Sequence, residues 1–247
     1  GEKSRLLFGV HRLEIGGDRA YCDPVNKVVR LPDLPDGGIN EISEANDYLR
    51  FFLDHEVGHL VGDSHSVPLD AFHRDHGEDG RRLLNALEDV RIEALMSAKW
   101  IGCGLNLSRG REQVMRRIYG NLSRQAGSGN RIHPLVQATH AVYCTGSDLP
   151  MYGGLDDDLV LALMAKPVAE QVRSIPQWAG CTADLVPLAL TIRDRLRDLM
   201  QKQQDQQQEQ QGEDKPQDGG TDADGGTDAG DGEPSQDGGG ESAGGND

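Results

Sequence analysis

The sequence lacks a long apolar run, and its basic residues are too few to balance its acids. No stretch approaches the roughly 20 apolar residues of a membrane-spanning helix, so we expect no membrane-embedded segment. The 25 Lys and Arg residues face 41 Asp and Glu residues, which leaves a net charge of −16 at pH 7. Because phosphate binding needs a basic face, this balance argues against nucleic acid as a partner.

Cysteine is also scarce. The four cysteines are Cys22, Cys103, Cys144 and Cys181, and no two of them have the CxxC spacing of a thiolate zinc site. Their scatter does not indicate a disulfide framework either, which favours reduced thiols and a cytoplasmic location. We expect these residues to be small members of the core.

The last 47 residues have almost no apolar side chains. Residues 201–247 hold 13 Asp and Glu against 2 Lys, so they carry −11 of the net charge and leave −5 for the first 200 residues. Such a segment cannot offset its ordering entropy by burial, and we predict a disordered acidic linker or tail. The folded domain is therefore expected to occupy residues 1–200.

Apolar periodicity in the first 200 residues predicts an α+β domain that is mainly helical, with a small β-hairpin at its start. Two extended runs, 6–15 and 20–34, are separated by the turn signal GGD and suggest an antiparallel hairpin. The turn-rich segment 66–80 is interpreted as a loop. Helical spacing is present in six segments: 40–61, 81–100, 109–120, 133–144, 155–173 and 183–200.

Three histidines and a glutamate fall within DHEVGHLVGDSH at residues 54–65. His55 and His59 lie four residues apart on the predicted helix, so both imidazoles project from one face and can reach one ion. Glu56, beside the first histidine, can hold an attacking water and accept its proton. This HExxH pattern predicts a catalytic zinc site (Zn2+) with Glu56 as general base and acid.

The motif continues to a glycine and a third histidine. Gly62 is expected to end the helix in the left-handed conformation and to turn the chain so that His65 approaches the metal. The full pattern HExxHxxGxxH resembles that of the metzincin zinc peptidases, which implies a zincin-like active-site helix with His65 as third ligand. A structural zinc site fits Glu56 less well, because such sites close all four positions with protein ligands.

A second candidate for the third ligand is Glu88, which lies on the apolar stripe of the helix predicted at 81–100. A buried carboxylate needs a cation, a metal or several hydrogen bonds, and Arg91 one turn along is the alternative partner. A glutamate from a following helix is the third ligand in gluzincin peptidases, so His65 and Glu88 compete for one role. Asp89 is a candidate to orient a ligand histidine as a hydrogen-bond acceptor.

Two further features concern a peptide substrate. The strand KVVRL at 27–31 has the composition to pair a free edge with a peptide backbone, and an ordinary hairpin strand is the alternative. Met151 and Tyr152 in SDLPMYGG loosely resemble the methionine turn beneath metzincin zinc sites, and a plain turn is the alternative.

The block LLNALEDVRIEALMSAKWIGCGLNL at 83–107 resembles the N-terminal region of the cobaltochelatase T subunit and of T-like proteins. The matching residues are Glu88, Arg91, Glu93, Asn106 and Leu107, and the acidic tail resembles the linker of that family. The resemblance implies a following von Willebrand factor A domain and a ring ATPase partner. The DxSxS adhesion motif of that domain is absent, so we expect the chain to stop before the domain or to lack it.

Two functions are consistent with these features. The first is a zinc-dependent metallopeptidase domain of a cobaltochelatase T-like protein, acting on a peptide or protein substrate. The alternative is a non-enzymatic adaptor of a chelatase-like ring ATPase, with a structural or vestigial metal site. Glu56 separates the two, because its replacement by Gln removes activity but not metal from a peptidase and changes nothing in an adaptor.

Overall fold

The computed structural model describes residues 9–34, 41–64, 67–128, 131–151 and 155–213. These residues form a mainly helical fold with a small N-terminal sheet, which confirms the predicted fold class. The strands are β1 (Arg12–Ile15), β2 (Tyr21–Asp23) and β3 (Val28–Leu31). The helices are α1 (Ile42–Val61), α2 (Leu69–Lys99), α3 (Ile101–Gly127), α4 (Pro134–Gly146), α5 (Asp157–Leu163), α6 (Lys166–Arg173), α7 (Ile175–Trp178) and α8 (Thr182–Glu213).

The three strands form one sheet in the order β1-β3-β2, so β3 is its central strand. β1 pairs with β3 in parallel, with Arg12 opposite Val28, and β2 pairs with β3 in the antiparallel direction. Val29 and Leu31 of β3 are buried, as expected for the apolar positions of a central strand.

The antiparallel hairpin therefore lies within the second extended run, and the prediction that it joins the two runs is wrong. The turn between β2 and β3 is held by Asp23, whose side chain accepts hydrogen bonds from the backbone N–H groups of Val25 and Asn26, both at 3.0 Å. The glycines of GGD instead lie where the chain leaves β1. Because β3 lies between β1 and β2, and is parallel to β1 but antiparallel to β2, the chain reverses direction there and passes over the position of β3 to the far edge of the sheet.

Helix α1 begins and ends close to the predicted bounds, but Gly62 ends it for a different reason. Its φ is −83°, which is outside the left-handed region that was predicted. A Cβ at Gly62 would lie 2.9 Å from the Gly58 carbonyl oxygen and 2.9 Å from Ile92 Cγ2. Glycine is therefore required at this helix end by the close approach of α2.

Helix α2 begins at Leu69, twelve residues before the predicted start at Arg81, so most of the segment interpreted as a loop is helical. The helix is bent at Gly77, where φ is 78° and ψ is 179°. Phe72 anchors the part before the bend in the core. Polar residues fill the rest of this segment because its other faces meet solvent, and they conceal the helical period in the sequence.

Two helix contacts around α1 require glycine. A Cβ at Gly58 would lie 2.9 Å from Ile92 Cδ1 and 3.1 Å from Met96 Cγ, so α2 packs directly on the backbone of α1. A Cβ at Gly110 would lie 2.2 Å from Phe51 Cβ, so α3 approaches α1 equally closely on another side. These contacts place side chains of α2 and α3 next to the histidine face of α1.

The predicted break after Trp100 is shorter than expected. Trp100 alone leaves the helical conformation, and α3 begins at Ile101. Cys103 and Leu107 are buried with Phe51 and Met96 in a core shared by the sheet, α1, α2 and α3. Burial of this face thus extends α3 through the glycine-containing IGCG segment.

The larger core surrounds α2, whose residues Leu83, Leu84 and Leu87 are fully buried against α4, α5, α6 and α8. Helix α8 continues to Glu213 and includes the first thirteen residues of the predicted tail, because Gln and Lys have high helix propensity even where they are exposed. Residues 214–247, the rest of the predicted tail, lie outside the described residues. None of the described helices has both the length and the apolar character needed to cross a membrane.

Candidate metal centre

His55 and His59 share one face of α1, as their spacing predicted. Their Nε2 atoms are 3.3 Å apart, and their side chains are 14% and 12% exposed. The ring of Phe51, one turn earlier, stacks on His55 with 5.8 Å between centroids. The Nε2 atoms of the two imidazoles therefore face one common point, and most of each side chain is shielded from solvent.

Asp89 on α2 brings a carboxylate to the same place. Its Oδ1 lies 3.6 Å from His55 Nε2 and 3.4 Å from His59 Nε2. Among the described residues, His55, His59 and Asp89 form the one group of three side chains that could hold a metal ion. Among the described residues it is therefore Asp89, and not Glu88, that faces both histidines, while His65 lies outside the described residues.

Glu93 holds His55 from behind. Its carboxylate lies 3.0 Å from His55 Nδ1, and it also accepts hydrogen bonds from Arg111 and from the Tyr143 hydroxyl, the latter at 2.9 Å. Burial alone would raise the pKa of Glu93, but the hydrogen bond from His55 and the charge of Arg111 hold it below its ordinary value. An ionised Glu93 keeps a proton on His55 Nδ1 and leaves Nε2 as the metal-facing atom.

The same carboxylates control the charge of His55. Burial alone would lower the pKa of His55, but the hydrogen bond to Glu93 and the negative charges of Asp89, Glu93 and Glu56 raise it to about 10. Without a metal, His55 is therefore a cation surrounded by acids. A divalent metal ion that binds at Nε2 would displace the proton on that atom, so metal binding would release a proton.

Ser64 holds His59 through a second set of contacts. Its hydroxyl oxygen is 3.0 Å from His59 Nδ1, and the hydroxyl also contacts Glu88 Oε1. Glu88 is paired with Arg91 and can only accept, so the hydroxyl proton points toward Glu88. Ser64 must then accept a hydrogen bond from His59 Nδ1–H, which leaves the lone pair on His59 Nε2.

The Glu88 carboxylate belongs to a buried ion pair. Arg91 donates to it from Nε at 2.8 Å and from Nη2 at 2.6 Å, and the two side chains are each 4% exposed. Arg91 also donates to the backbone carbonyls of Gly62 and Gly180. The alternative partner predicted for Glu88 is therefore the one found, and Glu88 acts on the histidines only through Ser64.

Glu56 lies beside the histidine pair and is 6% exposed. Burial raises its pKa, against the opposing effect of the positive charges of His55 and His59. On the other side, burial and the charge of Glu56 raise the pKa of Cys22 to about 12, which places strand β2 close to this carboxylate. No hydrogen bond joins Glu56 to another described residue, so its carboxylate keeps its capacity to accept hydrogen bonds.

A pocket of about 740 Å3 adjoins the cluster. His55, Asp89, Glu93 and Tyr143 form part of its wall, and the segment 19–21 at the start of β2 forms another part. The remaining wall is mostly apolar and includes Phe51, Phe52, Met115, Ile118, Leu122 and Val136. Its size and mixed lining are typical of a ligand site.

Other predicted site features have different outcomes. His65 and Tyr152 lie outside the described residues, and Met151 is 40% exposed. The strand KVVRL cannot offer a free edge, because β3 pairs on both sides. Among the described strands, β2 has one unpaired edge, and it is β2 that lies next to Glu56 and the pocket.

Sequence analysis gave Asp89 an orienting role and missed Ser64 and Glu93 as supports of the site. A usable signal was present in the segment DVRIE, where Asp89 and Glu93 repeat the four-residue spacing of His55 and His59. Two helices that pack side by side with the same spacing bring the two pairs together in register. One pair then supplies the donors, and the other supplies a third donor and an orienting acceptor.

The donor spacing fits a single tetrahedral ion. Zinc bonds of 2.0–2.1 Å place two tetrahedral ligand atoms about 3.3 Å apart. The three measured separations are 3.3, 3.4 and 3.6 Å. Two imidazoles and one carboxylate occur as the protein donors both of catalytic zinc sites and of non-haem iron sites.

No family model matches the chain, and no curated protein or solved structure matches it significantly. The resemblance of residues 83–107 to the cobaltochelatase T subunit stays a prediction.

Proposed function

We propose that this protein is a metal-dependent hydrolase of peptide bonds, with zinc as the metal. The observation that supports this most directly is the tetrahedral spacing of His55, His59 and Asp89 next to the unbonded carboxylate of Glu56. Only three donors meet here among the described residues, and a fourth position left open is typical of catalytic zinc sites and not of structural ones.

His55, His59 and Asp89 would hold the ion in this proposal. When bound, zinc acidifies water and polarises a carbonyl group. Glu56 accepts the proton of the attacking water and passes it to the nitrogen of the leaving amine. Glu93 and Ser64 keep the two imidazole rings oriented, so the donor atoms need not rearrange during a reaction cycle.

The walls of the pocket suit a polypeptide. The unpaired edge of β2 can hydrogen-bond an extended backbone, which is the role that the sequence assigned to KVVRL. The apolar side chains of α3 and α4 in the pocket can receive an apolar side chain from such a substrate. Backbone pairing and side-chain burial together favour a peptide over a small polar substrate.

The proposal is tested with wild type and Glu56→Gln, both assayed for bound zinc and for cleavage of fluorescein-labelled casein. We expect about one zinc per chain in both proteins and a loss of at least about 100-fold in activity in the variant, since a general base typically contributes that much. Glu112→Gln is the matched control, because Glu112 is exposed and pairs with Arg116 on α3. Equal cleavage by wild type and Glu56→Gln would refute the proposal, and zinc binding without cleavage would favour the non-enzymatic adaptor.

A further inference from the structure

Two arginines of α2 line the same pocket as the metal donors. Arg82 precedes Asp89 by seven residues, which is two helical turns, so both lie on one face about 10.5 Å apart along the helix. Asn85, also in the pocket wall, lies between them. An extended peptide covers about 10 Å in three residues, so a group three residues from the cluster would reach Arg82.

The charge of these arginines is only partly neutralised. Arg81 donates from Nε and Nη2 to Glu78, and Arg82 donates from Nε to the same carboxylate. These hydrogen bonds lower the pKa of Glu78 to about 2, so one negative charge is shared between two positive ones. Within the described residues, the two terminal nitrogens of Arg82 have no hydrogen-bond acceptor, and the side chain is 49% exposed.

A third arginine reaches the pocket from the sheet. Arg19 precedes β2, lines the pocket and has no ion-pair partner among the described residues. The acids in the same wall are already committed: Glu93 binds His55, Arg111 and Tyr143, and Asp89 faces the two histidines. The pocket therefore has a metal-donor group in one part and a surplus of positive charge about two helical turns away.

We propose that Arg81, Arg82 and Arg19 form a subsite for a carboxylate about three residues from the bond that is cleaved. This inference rests on the proposed peptide hydrolysis and names its substrate class. The carboxylate belongs either to an Asp or Glu side chain within the substrate or to its free C-terminus. Guanidinium groups suit this role because their forked N–H donors match both carboxylate oxygens.

The test measures binding, so it does not depend on turnover. Zinc-loaded full-length Glu56→Gln is titrated into fluorescein-labelled octapeptides in which one Glu is moved along an otherwise uncharged sequence, each with its Gln counterpart. A second set compares a free C-terminal carboxylate with its amide. We expect one register of Glu, or the free C-terminus, to bind about tenfold more tightly than its neutral counterpart, as charge-assisted hydrogen bonds imply.

Arginine variants then locate the charge. In Arg81→Gln/Arg82→Gln the preference should disappear, and Arg19→Gln should reduce it. Arg116→Gln is the matched control, because Arg116 pairs with Glu112 on the exposed side of α3 and does not line the pocket. All three pocket arginines are at least one-third exposed, so their replacement should leave the fold intact, which circular dichroism checks.

The subsite is refuted if charged and neutral peptides bind equally in every register, if no peptide binds, or if the preference survives in the double variant. These outcomes are separable from the fate of the proposed function. If casein cleavage depends on Glu56 but the octapeptides show no charge preference, the subsite is refuted and the proposed hydrolase is not. Charge-dependent binding by a wild type that cleaves nothing would remove the hydrolase alone.

Discussion

The two histidines of the metal centre are supported in different ways. His55 contacts the carboxylate of Glu93 directly, and three helices contribute to that buried network through Glu93, Arg111 and Tyr143. On the Nδ1 side of its ring, His59 reaches a carboxylate only through the hydroxyl of Ser64, just beyond the end of its own helix. The His55 ring is therefore held by a buried carboxylate, and the His59 ring by a neutral hydroxyl that contacts a carboxylate. Removing the two supports should have different effects on stability and on zinc affinity.

The largest effect on zinc affinity is expected for Asp89, whose carboxylate faces both histidines. Asp89→Asn removes the negative charge that faces both Nε2 atoms, and we expect zinc affinity to fall by more than about 100-fold, beyond the usual effect of orienting groups. Competition with a chromogenic chelator measures it.

The adjacent variant Glu88→Gln is the control for Asp89→Asn. It removes a carboxylate from the same turn of α2 but leaves all three proposed donors in place. Because it also breaks the buried pair with Arg91, its zinc affinity is compared under conditions where circular dichroism shows the variant folded. Zinc affinity should fall by no more than about tenfold, because Glu88 acts through Ser64. If Glu88→Gln releases the zinc and Asp89→Asn keeps it, the assignment of the third ligand is wrong.

The second-largest effect is expected for Glu93, whose carboxylate supports His55. Glu93→Gln leaves the guanidinium of Arg111 without its carboxylate in a largely buried place, which should lower the free energy of unfolding by about 3–5 kcal/mol. Zinc affinity should also fall by about 10–100-fold, because His55 loses its orienting acceptor. Urea unfolding of the metal-free protein and chelator competition measure the two losses, with Glu112→Gln as control. An unchanged unfolding midpoint would show that Glu93 carries no structural charge pair.

The support of His59 should fail more mildly. Ser64→Ala removes a hydroxyl but leaves Glu88 paired with Arg91, so the free energy of unfolding should change by less than about 1 kcal/mol. Zinc affinity should fall by about tenfold, because His59 loses the acceptor that fixes its ring. Ser43→Ala, at the exposed start of α1, should change neither quantity. A stability loss in Ser64→Ala as large as that of Glu93→Gln would remove the distinction between the two supports.

The last prediction concerns His140, a buried histidine that has no carboxylate partner among the described residues. Burial lowers the pKa of His140 to about 4, and its Nε2 lies 3.3 Å from Cys144 Sγ. Between pH 6.5 and 4 the unfolded chain binds a proton at this residue and the folded chain does not, so stability falls as the pH falls through that window.

His140→Gln should flatten this part of the pH dependence. The difference in unfolding free energy between wild type and variant is measured in the presence of a chelator from pH 7 down to about pH 3. This difference should change between pH 6.5 and pH 4 and stay constant below about pH 4. A constant difference across the range would show that His140 is equally basic in both states. Compared with His55, this residue shows what burial does to an imidazole when no acid is nearby.

The candidate metal centre was partly predictable from sequence. His55, His59 and Glu56 could be identified from the sequence because a single helix determines their spacing, and local periodicity is visible in one stretch of sequence. Asp89 is 30 residues from His59, and its place depends on how closely α2 packs on α1. That approach depends on Gly58 and Gly62, and the sequence suggested only a helix stop for Gly62.

The fold was predictable to a similar degree. Apolar stripes indicated the helical segments, and the mostly α class is confirmed. The segment before Arg81 was misread because its polar side chains and Gly77 look like a loop, whereas Phe72 alone marks its buried side. The parallel pairing of β1 with β3 was missed because strand order depends on contacts between residues distant in sequence.

The packing at Gly58 changes how the motif itself should be understood. In a pattern written HExxH, the two middle positions accept any residue, but here neither is free. Val57 is 1% exposed in the core, and a methyl group at Gly58 would displace Ile92, which lies between Asp89 and Glu93 in α2. The effective motif therefore consists of two segments, HEVGH on α1 and DVRIE on α2. A sequence search that required both segments would select for the assembled site instead of a single helix.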